Sequence, residues 1–339
     1  FRPLQEEIIT SVLENNDTFA LLPTGGGKSV CFQIPALIKP GICIVISPLV
    51  ALMQDQVNTL KQKGIKAMAI SSGISYKDLD TMLDNCIYGN YKFLYLSPER
   101  LQQTLVQERI QQMNVNLIAV DEAHCISQWG NDFRPAYSAI VTLRELQPTV
   151  NCIALTATAK SKVVDDIIDS LDFIDAKVFK ASFKRDNISY RVINTEDKNY
   201  HLVHTLQQNQ GASIIYVRSR KATISVSDFL ISKGFNTTFY HGGLTTSEKT
   251  ERLQLWTNNQ KPIIVATTAF GMGIDKADVK TIIHYNLPES LESYYQEAGR
   301  AGRNGQDAVA VILKKNIDEE KLKSQFLSAL PSVDAIKYV

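Results

Sequence analysis

Residues 19–37 read FALLPTGGGKSVCFQIPAL, which is an apolar run, a glycine-rich loop and an apolar helical stretch in direct succession. The run Phe19–Leu22 is continuously apolar, a pattern typical of a strand that is covered on both faces. Consecutive glycines let backbone N–H groups point into one concavity, and a helix that begins at the loop adds partial positive charge. The order of strand, loop and helix therefore predicts a phosphate-binding turn in a parallel α/β sheet.

The loop carries side chains suited to a nucleoside triphosphate. Lys28 can reach the β and γ phosphates, and the Ser29 hydroxyl suits Mg²⁺. The match to G-x-x-x-x-G-K-[ST] departs at Leu22, where the first glycine is expected. A glycine-rich loop that only turns the chain is the alternative, and the helix directly after Lys-Ser disfavours it. The other residues expected to cradle the nucleotide are Thr24, Gly25, Gly26 and Gly27.

Short apolar runs separated by helical stretches repeat along the chain and predict two α/β domains. In the first half they are residues 42–47, 93–97, 116–121 and 152–156. In the second half they are residues 188–193, 213–217, 237–241, 262–267, 281–285 and 308–313. We expect a first domain at 1–181, a second at 182–316 and the start of a further extension at 317–339. The polar cluster Phe183–Asn187 is interpreted as the linker.

Composition limits the class of protein. The 339 residues suit two domains at about 150 residues each, and 44% of them are hydrophobic. The 36 Lys and Arg against 35 Asp and Glu leave a net charge of +1, so a polyanion would be bound by local patches. The five cysteines show no C-x-x-C spacing and are expected to be reduced. No apolar run is long enough to span a membrane, secretion is not expected, and the start without Met suggests a fragment.

Two acidic residues follow the apolar run at 116–121. Asp121 and Glu122 lie where open α/β sheets place their ligands, at the carboxyl end of a strand. Asp121 is the candidate ligand for phosphate-bound Mg²⁺, and Glu122 is the candidate base for the attacking water. An acidic pair at a strand end is often only a helix cap, but here the phosphate loop favours a catalytic role.

A nucleotide site alone is compatible with kinases, GTPases, transporters and motors. Two further segments indicate which of these classes of protein the chain belongs to. Residues 125–137 (CISQWGNDFRPAY) contain three aromatic residues and an Arg, which suit stacking on unpaired bases, although an aromatic mini-core has the same composition. In residues 294–305 (YYQEAGRAGRNG), Arg300 and Arg303 are expected on one helix face, and one of them could stabilise the departing γ-phosphate. Arg303 is the first choice, and a solvated helix face is the alternative.

With these motifs in order from Phe1 to about Leu313, the chain resembles the RecQ family of DNA helicases, whose core is two tandem RecA-like domains. The resemblance marks Asp121–His124 as a DEAH box and adds Gln296 to the catalytic group. It implies ATP and Mg²⁺ as cofactors and no zinc in this chain. It also implies adenine contacts from Arg2 and Gln5 and a ribose contact from Asp275. The residues implied for nucleic-acid binding are Ser47, Arg100, Trp129, Phe133, Arg134, Arg218, Ser219, His241 and Thr267, and those implied for coupling are His124, Thr156 and Thr158.

The resemblance implies an ATP-driven motor that moves 3′ to 5′ on single-stranded DNA and separates partly duplex DNA during repair and recombination. Such a protein would lie in the cytoplasm with the nucleoid in a bacterium, or in the nucleus of a eukaryote. Three alternatives stay open: an RNA helicase of the same superfamily, an ATP-gated nucleic-acid clamp without turnover, and a P-loop kinase. The aromatic segment argues against the first, and Lys28, Asp121, Glu122 and Arg303 argue against the second. The second α/β domain argues against the third.

Overall fold

A computed structural model of the chain describes residues 1–71, 73–129, 132–271 and 276–328. The chain divides into two compact units, the first at Phe1–Phe183 and the second from Lys184 onward. Each unit is a parallel sheet flanked by helices, which confirms the predicted α/β class.

The first unit has one sheet. Its described residues form seven strands, which are β1 (Thr18–Leu21), β2 (Ile42–Ile46), β3 (Ala67–Ile70), β4 (Phe93–Leu96), β5 (Val115–Val120), β6 (Cys152–Thr156) and β7 (Lys177–Lys180). All pairs are parallel, in the order β3-β4-β2-β5-β6-β1-β7. The helices are α1 (Gln5–Leu13), α2 (Lys28–Ile38), α3 (Val50–Gln62), α4 (Tyr76–Tyr88), α5 (Thr104–Gln112), α6 (Val141–Leu146) and α7 (Ser161–Ser170). Short 3₁₀ helices occur at Pro98–Gln102, Ala123–Ile126 and Pro135–Ile140.

The sheet of the first unit is covered on both faces, as its continuous apolar strands require. Alternate residues of β1 belong to different apolar clusters: Phe19 and Leu21 pack in one, and Ala20 packs in the other. All four residues of β1 are buried. The loop that follows β1 is therefore anchored at the carboxyl edge of a rigid sheet.

The second unit repeats this architecture. Its described strands number six, which are β8 (Ile188–Asn194), β9 (Ala212–Tyr216), β10 (Thr237–Tyr240), β11 (Ile263–Ala266), β12 (Val279–His284) and β13 (Ala308–Lys314). They are parallel in the order β10-β11-β9-β12-β13-β8. The helices are α8 (Lys198–Gln208), α9 (Arg220–Ser232), α10 (Thr246–Thr257), α11 (Leu291–Ala298) and α12 (Asn316–Ser328). None of the helices in the described residues is both long and apolar enough to cross a membrane.

Two strands of the first unit are absent from the predicted set. β3 (AMAI) contains two alanines, which have low strand propensity, and it becomes a strand by pairing with β4. β7 (KVFK) has only two apolar residues, which lie between two lysines, and it is largely exposed at the edge of the sheet beside β1. A search for continuous apolar runs misses both strands, because alanines weaken the signal of β3 and the apolar run of β7 is only two residues long.

A buried ion pair joins the two ends of the first unit, and we expect Asp17→Asn to destabilise it. Asp17 accepts two hydrogen bonds from Arg144, at 2.9 and 2.7 Å, and one each from the N–H groups of Cys152 and Ile174. Its side chain is only 6% exposed, so the amide would leave the guanidinium poorly compensated. The expected loss is about 2 kcal/mol in the free energy of unfolding. Urea denaturation would measure it, and the exposed Asp165→Asn is the matched control; equal losses in both variants would contradict the assignment.

Candidate functional site

The phosphate loop joins β1 to α2, which begins at Lys28, two residues before the predicted helical stretch. Gly25 and Gly27 adopt φ values of 74° and 76°, a region that favours glycine. The buried Gln5 donates from Nε2 to the carbonyl oxygens of Gly26 and Gly27, both at 3.1 Å, and its Oε1 accepts from the Arg2 N–H at 2.9 Å. A Cβ at Gly27 would collide with Gln5 Nε2. The structure therefore brings the two residues expected at adenine onto the phosphate loop itself.

The hydroxyl of Ser29 is held by a hydrogen-bond chain that the sequence analysis missed. Gln56 of α3 donates from Nε2 to Ser29 Oγ at 3.0 Å, and Gln56 Oε1 accepts from the hydroxyl of Tyr95 at 2.8 Å. Tyr95 is 1% exposed, so this end of the chain is fixed in the core. Gln56 lies 27 positions after Ser29, and this spacing carries no signal for a contact between the two residues.

Asp121 lies at the carboxyl end of β5, close to the phosphate loop. Its N–H donates to the Ile46 carbonyl at 2.8 Å, and its own carbonyl accepts from the Tyr137 hydroxyl at 3.1 Å. Burial, and next the charge of Glu122, raise the pKa of Asp121 to about 6, while the positive charge of Lys28 acts in the opposite direction. A buried carboxylate opposed only in part by Lys28 would be stabilised by a divalent cation.

Glu122 adopts a left-handed backbone conformation, with φ 47°. Such a conformation is costly for a residue other than glycine and is concentrated at functional sites. It turns the chain sharply between β5 and the 3₁₀ helix Ala123–Ile126, and Glu122 Oε2 lies 3.4 Å from His124 Nδ1. Both acidic neighbours are largely shielded from solvent: Asp121 is 7% exposed, and the side chain of Glu122 is 19% exposed.

The three predicted coupling residues lie together. His124 Nδ1 is 2.8 Å from Thr156 Oγ1, and Thr156 Oγ1 accepts from the Thr158 N–H at 3.2 Å. His124 Nε2 lies 3.7 Å from a carboxylate oxygen of Asp132 in the aromatic segment. Burial acts to lower the pKa of His124, but Asp132, Cys125 and Glu122 outweigh burial and raise it to about 10. The charged imidazolium thus connects the acidic pair, the end of β6 and the aromatic segment.

We expect Asp132→Asn to lower the pKa of His124, because the amide removes the negative charge beside Nε2. The folded pKa lies above that of an unfolded histidine, so this contact stabilises the fold below about pH 6.5 and the stabilisation is lost as pH rises toward 10. Titration of the histidine ring protons by NMR would measure the change. The exposed Asp169→Asn is the control, and an unchanged His124 titration in Asp132→Asn would contradict the contact.

The aromatic segment offers two exposed rings to solvent, those of Trp129 and Phe133. Trp129 is 64% exposed, and Lys162 of α7 lies with Nζ 3.1 Å from the ring centroid. Phe133 is 38% exposed, and Arg134 donates from Nη1 to the Pro48 carbonyl at 3.1 Å. Gly130 and Asn131 lie outside the described residues. An exposed indole can stack on a base, and the neighbouring lysine can neutralise a phosphate. The structure is therefore compatible with the predicted contact between this segment and unpaired bases.

Two residues predicted to hold a DNA strand in the first unit are buried. Ser47 is 2% exposed, and Arg100 is 8% exposed. The Arg100 guanidinium donates to the Ser71 carbonyl and to Gln103 Oε1, the latter at 2.9 Å. Arg100, but not Ser47, lines a surface pocket, whose other lining residues are Pro48, Val50, Gly73, Ser97, Glu99 and Gln103. The contact of Ser47 and Arg100 with DNA stays a prediction.

The candidate strand-binding residues of the second unit lie at the carboxyl ends of its strands. Arg218 follows β9 and donates from Nη2 to the Leu287 carbonyl at 3.1 Å, and Ser219 caps α9 by accepting from the Ala222 N–H. His241 is 9% exposed and stacks on Phe239. The Thr267 N–H donates to the Tyr240 carbonyl at 3.2 Å. Asp275, expected at the ribose, lies outside the described residues.

The arginine pair does not lie on a helix, which corrects the sequence-based expectation. α11 ends at Ala298, and residues 299–305, here called the arginine loop, form turns because Gly302 and Gly305 adopt φ values of 57° and 83°. Arg300 is 8% exposed, and Arg303 and Gln296 are half-buried. Burial raises the pKa of Tyr216 to about 12, and the charges of Arg300 and Arg303 oppose this rise. Both guanidinium groups therefore lie near the end of β9 despite the missing helix.

The donor set fits Mg²⁺ as it occurs with nucleotides. In the described residues no group of three or more His, Cys, Asp and Glu could hold a metal ion. Mg²⁺ in phosphoryl-transfer sites is bound by one or two protein oxygens, with the remainder from phosphates and water. Ser29 Oγ and the buried Asp121 carboxylate are oxygens of that kind.

Comparisons with known proteins agree with this geometry. Residues 2–167 match the family described as DEAD/DEAH box helicase, and residues 197–305 match the helicase conserved C-terminal domain. The chain is 38% identical over 346 residues to the probable ATP-dependent DNA helicase RecS of Bacillus subtilis (strain 168), covering 99% of this chain and 69% of that protein. It is 42% identical over 316 residues to the ATP-dependent DNA helicase RecQ of the same strain, covering 92% of this chain and 54% of that protein.

The fold has a match among solved structures. The Mycobacterium smegmatis helicase Lhr bound to ssDNA and AMP-PNP gives a TM-score of 0.74 at 18% identity, covering 96% of this chain and 48% of that chain. This likeness concerns the fold alone. Since 69% of RecS is covered at 38% identity, and both halves of the chain match helicase domains in the order that the motifs predict, the chain belongs to the RecQ family of ATP-dependent DNA helicases.

Proposed function

We propose that this chain hydrolyses ATP to move along single-stranded DNA and to separate the strands of partly duplex DNA. The observation that carries the proposal is the connection of Asp121 and Glu122, through His124, to both the Thr156 hydroxyl and the aromatic segment. A nucleotide site that shares one buried imidazolium with a base-stacking segment is suited to sense a bound strand. The relatives' names, which specify DNA, support DNA over RNA.

In this proposal each residue of the phosphate site has a separate task. Lys28 binds the β and γ phosphates, while Ser29 and Asp121 would hold Mg²⁺, which neutralises phosphate charge when bound. Glu122 accepts a proton from the attacking water. Arg303, with Arg300 and Gln296, stabilises the charge that develops on the departing phosphate. Arg2, Gln5 and Asp275 are proposed to select the nucleoside.

The finer assignments are also proposals. Movement 3′ to 5′ and a role in DNA repair and recombination follow the family resemblance, as does a location with the DNA of the cell. We propose that Trp129, Phe133 and Arg134 contact bases, and that Ser47, Arg100, Arg218, Ser219, His241 and Thr267 contact the strand backbone. Such backbone contacts are electrostatic and weaken steeply with salt.

The deciding experiment measures ATP hydrolysis at low salt with no nucleic acid, with single-stranded DNA and with single-stranded RNA of equal length. Strong stimulation by DNA alone is the expected result. Equal stimulation by RNA would favour an RNA helicase, and binding of DNA without turnover would favour a clamp. Substrates with a 3′ or a 5′ tail on a short duplex then test unwinding and its direction. Hydrolysis that ignores both nucleic acids would overturn the proposal.

A further inference from the structure

The segment that the sequence predicts to be a simple linker is bonded to the arginine loop. Lys184 and Asp186 are 77% and 80% exposed and pair with each other at 2.6 Å. Arg185 and Asn187, between and after them, are half-buried. The chain therefore enters the second unit with two solvent-facing charges and two inward-facing side chains.

The inward-facing side chains donate to the backbone of the arginine loop. Arg185 Nη2 donates to the carbonyl oxygens of Ala301 and Gly302 at 3.2 and 2.9 Å, and its Nη1 lies 3.5 Å from the Gly299 carbonyl. Asn187 Nδ2 donates to the carbonyl oxygens of Gly302 and Gln306, both at 2.8 Å. Between them, these two residues donate to three carbonyls of the loop, those of Gly299, Ala301 and Gly302, and to the Gln306 carbonyl directly after it.

These contacts have a physical reason. α11 ends at Ala298, and the carbonyls at a helix C-terminus lack partners within the helix and favour a positive charge. Arg185 supplies the positive charge near this helix end and donates to carbonyls of the following loop, whereas the carbonyls of Glu297 and Ala298 accept from N–H groups of the loop itself. Other N–H groups of the loop are satisfied elsewhere, since Gly302 donates to the Val279 carbonyl at 2.8 Å and Asn304 donates to the Ala277 carbonyl at 3.1 Å. The loop is thus fixed from two sides. These N–H groups donate to β12 and to the turn before β12, and its carbonyls accept from Arg185 and Asn187.

Gly302 allows this close approach. It adopts φ 57°, and a Cβ at this position would collide with Asn187 Nδ2 and would lie 2.8 Å from the Gln306 carbonyl oxygen. A side chain at residue 302 would therefore displace Asn187 from the loop. Arg300 and Arg303 flank Gly302, so the conformation at this glycine determines where both guanidinium groups point.

We propose that Arg185 and Asn187 are positioning residues, which hold the arginine loop in the conformation that hydrolysis requires. The inference rests on the proposed function. It states that the segment at the start of the second unit, through Arg185 and Asn187, affects the rate of ATP hydrolysis. A misplacement of a catalytic group by about 1 Å can cost about 100-fold in rate. The carbonyls of Gly299, Ala301 and Gly302, which accept from Arg185 or Asn187, are each adjacent in sequence to Arg300 or Arg303, so loss of these contacts is expected to reach those side chains.

The test uses Arg185→Lys and Asn187→Asp. Lysine keeps the positive charge but cannot present a planar fork to several carbonyls, and aspartate keeps the shape of Asn187 but replaces its donors with acceptors. We expect kcat for DNA-stimulated ATP hydrolysis to fall about 10- to 100-fold in each variant, with the KM for ATP within twofold of the unsubstituted chain. Arg191→Lys, on an exposed arginine of β8, is the matched control and is expected to leave kcat unchanged. Thermal unfolding of all variants checks that the second unit is intact.

A double-mutant cycle separates positioning from general stability. In the background of Arg303→Ala, we expect Arg185→Lys to lower kcat by less than twofold, because the group that Arg185 positions is already absent. Equal fold-changes in both backgrounds, or a wild-type kcat in Arg185→Lys and Asn187→Asp while Arg303→Ala is impaired, would overturn the positioning role and leave the proposed function intact. A wild-type kcat in Arg303→Ala itself would overturn the role of Arg303 in the proposed function and the positioning inference with it.

Discussion

Replacing Glu122 with glutamine is expected to lower the kcat of ATP hydrolysis about 10³-fold, since the amide cannot accept the proton of the attacking water. The substitution is nearly isosteric. We therefore expect the variant to keep the left-handed backbone conformation at residue 122, where φ is 47°. Lys28, Ser29 and Asp121 are untouched, so binding of ATP with Mg²⁺ is expected to remain within a few-fold of the unsubstituted chain. Phosphate release under DNA-saturated conditions measures the rate, and fluorescent-nucleotide titration measures the binding.

The exposed Glu108→Gln in α5 is the matched control for this prediction. It removes the same negative charge from the same unit, far in sequence from the phosphate loop. Single-stranded DNA binding is expected to persist in both variants, because neither removes a residue of the aromatic segment. Turnover by Glu122→Gln at the rate of Glu108→Gln would contradict the role of Glu122 and would direct attention to another base.

The sequence predicts those parts of the fold that depend on local pattern. The burial of β1 on both faces, the helix that follows the phosphate loop and the repeated parallel sheet follow from apolar runs and from glycine chemistry. The sequence does not predict β7, because this exposed edge strand has an apolar run of only two residues. The sequence does not predict that α11 ends at Ala298. The spacing of Arg300 and Arg303 is equally compatible with a helix and with the turns that Gly302 and Gly305 impose.

The parts of the site that the sequence did not predict are contacts between distant residues. Gln56 reaches Ser29 across 27 positions, and Arg185 reaches Gly302 across 117. Neither side chain belongs to a motif with a fixed spacing to its partner, and a polar residue that bonds to a backbone carbonyl leaves no compositional signal. Asp132 belongs to the aromatic segment at residues 125–137, but only the fold shows that it lies beside His124. Motifs identify the reacting groups, whereas the residues that orient those groups become visible in three dimensions.

Replacing Arg303 with alanine is expected to lower kcat about 10³-fold, because a guanidinium that stabilises transferred-phosphate charge contributes effects of that size. Arg303 is half-buried, whereas Arg300 is 8% exposed and packs against Gly271, where an added Cβ would lie 3.0 Å from Arg300 Nη2. Of the two, Arg303 is therefore the more accessible to solvent, and Arg300 is more deeply buried in its own unit. We expect Arg303→Ala to retain nucleotide and DNA binding while Arg300→Ala also loses thermal stability. Arg191→Ala is the control for removal of a positive charge. A wild-type rate in Arg303→Ala together with a 10³-fold loss in a fully folded Arg300→Ala would reverse the assignment of the two arginines.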